Sequence, residues 1–125
     1  MYVIEQPAPV DTPIPGVRHA TWGGRAEGLT ALSLWRQSLV PGGATPPHSH
    51  PCDEAVLCLA GQGEVEIEGQ RHAFGPGQTV VLPAGVLHQI FNTGDATLEC
   101  TAVFSATPVP VTLPDGSPLE LPWRT

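Results

Sequence analysis

His48 and His50, in the run GGATPPHSHPCDEAVLCLAG, are the residues best placed for chemistry. Two imidazoles two positions apart on an extended chain point to the same face. Glu54 lies four residues beyond His50 and keeps that parity across a short turn at Pro51-Cys52-Asp53. A second run, GQTVVLPAGVLHQIFN, supplies His88, which can approach on an antiparallel strand placed by the rigid Pro83-Ala84-Gly85 turn. Imidazoles with one carboxylate suit Mn, Fe, Ni, Zn, Co or Cu rather than Ca. Four protein ligands on an octahedral ion leave two positions open, and open positions belong to sites that do chemistry. The expectation is one divalent transition metal ion on His48, His50, Glu54 and His88.

The elements that must position these residues are short strands. Fifteen prolines and fourteen glycines punctuate apolar runs as turn residues do. Each proline pushes the preceding residue away from the helical region, so long helices have little room to form. Strands are expected near residues 17–22, 29–39, 54–60, 63–68, 71–74, 78–82, 88–92 and 97–105. In GEVEIEG the alternation is plain, with Val65 and Ile67 facing one way and Glu64, Glu66 and Glu68 the other. A final hairpin, VTLPDGSPLEL, has Asp115-Gly116 at its tip. The chain of 125 residues fits one domain: a proline-rich arm over residues 1–16, laid over the surface or a neighbour, then one all-β barrel over residues 17–125.

A formal charge of −7 argues against nucleic acid and against an anionic membrane surface, both of which call for lysine and arginine patches. The N-terminal MYVIEQPAPV lacks the basic and apolar regions of a secretory signal, and no apolar stretch is long enough for a membrane span. Three cysteines, Cys52, Cys58 and Cys100, are an odd number without repeating spacing, which makes a disulfide framework improbable and a cytoplasmic location the default.

Around the metal, Arg36 and Gln37 lie mid-strand in LTALSLWRQSL, and alternation sends one inward and one outward. Both parities contain apolar residues, so the sequence does not choose between them. An interior Arg36 would clamp a substrate carboxylate; an exterior one would form an ion pair. Cys58 shares parity with Glu54 and Val56 and lines the interior below the metal. Cys52 sits in the loop between two ligands, either as a plain loop residue or as a further ligand or redox-sensitive thiol. Val56, Val80, Leu82, Ile90 and Phe104 supply an apolar wall that excludes water. His19 and His72 have no ligand-like partner in sequence, and Trp22, Trp35 and Trp123 read as packing or subunit-contact residues.

The two runs resemble the cupin superfamily. Its first motif, G(X)5HXH(X)3–4E(X)6G, is matched from Gly42 to Gly61, and its second, G(X)5PXG(X)2H(X)3N, from Gly77 to Asn92. Fifteen residues separate the motifs, as in compact microbial single-domain members. The resemblance implies a double-sheet jelly-roll β-barrel with the ion near its mouth on His48, His50, Glu54 and His88. Gly42, Gly61, Gly77, Gly85 and Asn92 then read as structural. Cupins of this size include dioxygenases, decarboxylases, isomerases and lyases, and the fold alone does not pick one. The implied activity is a mononuclear metal enzyme acting on a small oxygen-chelating substrate such as a diketone, a keto or hydroxy acid, or a catechol. A metal-dependent binding module without turnover is the alternative. Glu54 sets the chain apart from thiol dioxygenases of the superfamily, which use three histidines and no carboxylate. Small cupins commonly pair, so a homodimer is expected as well.

Overall fold

The computed structural model describes residues 2–125. Nine strands follow one another: β1 (Val10–Asp11), β2 (Val17–Gly23), β3 (Ser33–Leu39), β4 (Glu54–Ala60), β5 (Gly63–Ile67), β6 (Gln70–Phe74), β7 (Thr79–Leu82), β8 (His88–Asn92) and β9 (Leu98–Phe104). A 3-10 turn at Arg25–Glu27 is the one helical element among the described residues. The strands form two antiparallel sheets, ordered β1-β2-β3-β9-β4-β7 and β6-β5-β8. This is the jelly-roll arrangement expected from the sequence.

Period-two alternation builds the interior. On β9, Leu98, Cys100, Ala102 and Phe104 are buried, while Glu99, Thr101 and Val103 turn outward. Val56 and Cys58 do the same on β4, and Val65 on β5. Between the sheets these side chains pack with Trp35, Leu39, Leu82 and Ile90. The smaller sheet is widened beyond β8 by isolated antiparallel bridges, Ala44 to Phe91 and His48 to His88, then Ser49 to Thr112 and Thr112 to Pro118. The chain carrying the first two histidines is therefore held as a strand edge without being a continuous strand.

Strand β3 begins at Ser33 rather than at residue 29. Gly28, at φ 93°, ends the 3-10 turn, and the Leu29 N–H donates to the Gly24 carbonyl, so the chain is still turning there. The expected terminal hairpin is present as a bridged turn: Gly116 N–H donates to Leu113 O, Leu119 N–H to Val111 O, and Asp115 Oδ1 accepts from the Ser117 N–H. Part of the N-terminal arm pairs with the first sheet, Val10 opposite His19 and Asp11 opposite Arg18. Trp22 Nε1–H holds a more distal point of the arm through the Pro7 carbonyl at 2.9 Å. No helix among the described residues is long and apolar enough to cross a membrane.

Candidate metal centre

The four expected ligands come from both sheets. His48 and His88 face each other across an antiparallel bridge, exchanging both backbone hydrogen bonds at 3.0 and 2.9 Å. Glu54 opens β4 in the other sheet, in register with Leu82 and Phe104. His50 lies between them, its carbonyl accepting from the Gly85 N–H at 2.7 Å. That contact ties the Pro83-Ala84-Gly85 turn to the first histidine segment. The turn needs Gly85, which sits at φ +84°.

Each imidazole is oriented by a backbone oxygen. His48 Nδ1 lies 2.6 Å from Pro46 O, His50 Nδ1 2.8 Å from Pro110 O, and His88 Nδ1 2.9 Å from Val86 O. A carbonyl can only accept, so each Nδ1 carries the hydrogen and each neutral ring keeps its lone pair on Nε2. Glu54 Oε1 stands 3.3 Å from both His50 Nε2 and His88 Nε2. Despite that approach, none of these three atoms has a hydrogen-bond partner of acceptable geometry, and all three are buried. Three buried, unsatisfied donor atoms converging on one point are costly unless something binds them. Two donors about 2.1 Å from a common ion stand roughly 3.0–3.4 Å apart, the separation seen here. The ligand atoms of His48, His50 and His88 lie within 4.8 Å of one another, and these histidines can hold a metal ion.

Electrostatics follow the same geometry. Burial alone would raise the Glu54 carboxyl, but the imidazoles of His50 and His88 outweigh it and bring the pKa down to about 2. Burial, reinforced by neighbouring His88, lowers His48 to about 4. For His88 burial acts downward, yet Glu54 prevails and raises it above its ordinary value.

Two small cavities of about 30 and 20 Å³ flank the cluster. The first is lined by His48 and His50 with Trp35, Val111, Leu119, Leu121 and Trp123. The second is lined by Glu54 with Val56, Ile90, Leu98 and Ala102. Gln37 and Thr45 border both. The first cavity shares Ile14, Thr45, Pro46 and Leu119 with an open surface groove between the arm and the last segment of the chain.

The structure resolves the choice between Arg36 and Gln37. Gln37 faces the interior, while Arg36 lies on the outer face, 3.4 Å from Glu99 and 5.5 Å from the Trp22 ring. A neutral amide can be buried on one hydrogen bond, whereas a guanidinium needs a counter-charge. Arg36 is therefore not a pocket residue. Cys52 packs in the core and takes no part in the histidine group; burial, with the charges of Glu54 and Asp53, pushes its thiol up. Cys58 is also core, opposite Cys100 across β4 and β9, and borders neither cavity. Val56 and Ile90 line the second cavity.

His19, expected to be an ordinary strand or surface residue, is buried beneath the mouth, stacked on Trp123 with ring centroids 4.2 Å apart. Its placement depends on the β2–β3 register, which sets it beside Gln37. The local signal that could have found it is the same-face pair His19 and Thr21.

The chain belongs to the cupin-domain family, whose profile matches residues 35–104. It is 32% identical over 112 residues to auxin-binding protein T85 of Nicotiana tabacum, an alignment covering 80% of this chain and 60% of that one. Among solved structures, the polyketide cyclase RemF of Streptomyces resistomycificus superposes with a TM-score of 0.74 at 22% identity, covering 87% and 83% of the two chains. An oxalate oxidase in complex with the substrate analogue glycolate superposes with a TM-score of 0.67 at 29% identity, over 76% of this chain and 53% of that one. The chain thus spans about three-fifths of the auxin-binding relative and about half of the oxidase.

Proposed function

We propose that this cupin is a mononuclear metal enzyme that acts on a small oxygen-chelating molecule, with His48, His50, Glu54 and His88 as the protein ligands. The observation that carries the reading is the convergence of three buried, unpaired atoms, His50 Nε2, Glu54 Oε1 and His88 Nε2, beside His48. A bound divalent transition ion would supply Lewis acidity, or redox chemistry if it were iron, copper or manganese. The remaining work falls to the chain. Carbonyls of Pro46, Pro110 and Val86 fix the three rings, so the ligands do not have to reorganise on binding. Glu54 contributes the single negative charge of the set. Trp35, Val111, Leu121 and Trp123 keep water from the side facing the mouth.

Affinity in so apolar a chamber must come from the metal and a few polar groups, which favours hydroxy and keto acids, diketones or catechols. The glycolate bound by the oxalate oxidase relative is a hydroxy acid and supports this class. A non-catalytic, metal-dependent binding module is the second reading, supported by the relative described as an auxin-binding protein.

The test is to load the protein with Fe(II) or Cu(II), titrate a panel of chelating acids and diketones, and follow the metal's optical or EPR spectrum. Spectral change at millimolar concentration or below, with turnover under air or nitrogen, is the expected result. Binding without turnover of any panel member would favour the second reading. No spectral change in fully loaded protein would overturn both.

A further inference from the structure

A directed chain of hydrogen bonds runs from the last segment of the molecule into the metal chamber. Thr21 Oγ1–H donates to the Arg124 carbonyl at 2.6 Å. Its hydroxyl proton is thereby committed, so at 2.8 Å from His19 Nε2 it can only accept, and Nε2 carries the ring hydrogen. His19 Nδ1 is then the acceptor, and Gln37 Nε2–H, 3.4 Å away, donates to it. Burial is the main cause of a His19 pKa lowered to about 4, in keeping with a neutral ring. Polarity at the far end follows: the Gln37 amide is turned so that Oε1 is the atom left over. Among the described residues no protein group donates to that oxygen, and it is not sealed from the surrounding space.

Gln37 borders both cavities beside the histidine–glutamate cluster. Thr45, which also borders both, accepts from the Ile90 N–H and keeps its hydroxyl proton to give. The chamber therefore offers one oriented acceptor and one donor in otherwise apolar walls. A hydroxyl is the group that can both give and take a hydrogen bond. We infer that Gln37, oriented through His19 and Thr21, recognises a hydroxyl group carried by the metal-bound molecule in addition to its chelating oxygens. The ligand class is narrowed from chelating acids in general to polyhydroxylated ones. Gln37 is the recognition residue, and His19 and Thr21 are positioning residues that act through it. This rests on the metal reading proposed above.

The test uses Co(II)-loaded protein and matched hydroxy acids that differ by one hydroxyl: glycerate against lactate, and 2,4-dihydroxybutyrate against 2-hydroxybutyrate. The cobalt absorption spectrum reports arrival at the metal, and calorimetry reports affinity. In at least one pair the extra hydroxyl should tighten binding about five- to tenfold, the effect of one well-placed hydrogen bond. Gln37→Met, of similar length without the amide, should erase the preference while both acids still perturb the cobalt spectrum. Thr21→Val leaves Gln37 in place but frees the His19 tautomer, and should reduce the preference severalfold; Thr21→Ser should restore it. Equal affinities in the wild-type protein, or a preference unchanged by Gln37→Met or by Thr21→Val, would overturn the inference. Spectral change by both members of each pair without preference would sink the Gln37 assignment alone. Spectra unmoved by any of the four acids would take the metal reading down with it.

Discussion

At the scale of single residues, the centre is defined by which atom of each ring is already in use. With all three Nδ1 atoms on carbonyls, protons and metal compete for the same Nε2 positions. For His88 burial acts downward, but Glu54 prevails and holds the pKa above its ordinary 6.5, so this ring takes up a proton more readily than a free imidazole. A metal bound at Nε2 would displace that proton. Affinity should therefore rise with pH through the raised value and weaken as pH falls through about 6. Calorimetry in buffers of different ionisation enthalpy should detect the released proton; pH-independent affinity would contradict a histidine-rich site. Stability of the metal-free protein carries the opposite-signed shifts. His19 and His48, lowered from 6.5 to about 4, bind protons more readily when unfolded, so the stability they lend is complete above 6.5 and lost as pH falls towards 4. Protonated His88 adds stability that is full below 6.5 and lost as pH rises through its raised value. Below 6.5 only the first trend operates, and Glu54 joins it as pH drops from 4.5 towards about 2. Melting temperature should fall between pH 6.5 and 4, and a flat profile would refute these assignments.

At the scale of elements, three devices hold the site's frame. Asn92, buried at the end of β8, donates from Nδ2 to the Leu39 and Ala96 carbonyls, and its Oδ1 accepts from the Gly94 N–H. It thereby ties the two sheets together. Asn92→Ala would take the donor from the buried Leu39 carbonyl and should cost about 1–3 kcal/mol in denaturant unfolding. Gly61, between β4 and β5, has φ +87°, and a Cβ there would lie 2.6 Å from the Thr97 carbonyl oxygen. Gly61→Ala should cost at least about 2 kcal/mol by the same measurement. The last segment is a third device: Trp123 stacks on His19, and Arg124 pairs with Glu27 at 2.9 Å. Much of this frame was legible in the sequence. Strands 54–60 and 88–92 follow from alternation and their flanking turns, and both histidine motifs follow from spacing. The inward face of β3 was not legible, because Leu34 and Trp35 make both parities apolar. Nor was the His19–Gln37 contact, which exists only once β2 and β3 have a register.

At the scale of the whole molecule, the outer face near the β4–β7 edge is unusually apolar for a surface. Leu57, Leu59 and Val81 are all exposed there, Val81 at 69%, and β7 ends its sheet with an unpaired edge. Exposed edges and apolar patches invite a second copy, most often by two-fold pairing. Light scattering at micromolar concentration should give twice the 13.1 kDa chain mass, and Val81→Glu should shift it towards monomer. A monomeric wild-type protein would refute the pairing. The proposed chemistry depends on the metal. The most direct measurement is elemental analysis of protein purified without a histidine tag, beside a His48→Ala, His50→Ala variant whose fold is checked by circular dichroism. The expected result is about one first-row transition ion per chain in the wild type and essentially none in a still-folded variant. Full metal content in that variant, or a wild type that takes up no ion when one is supplied, would contradict it.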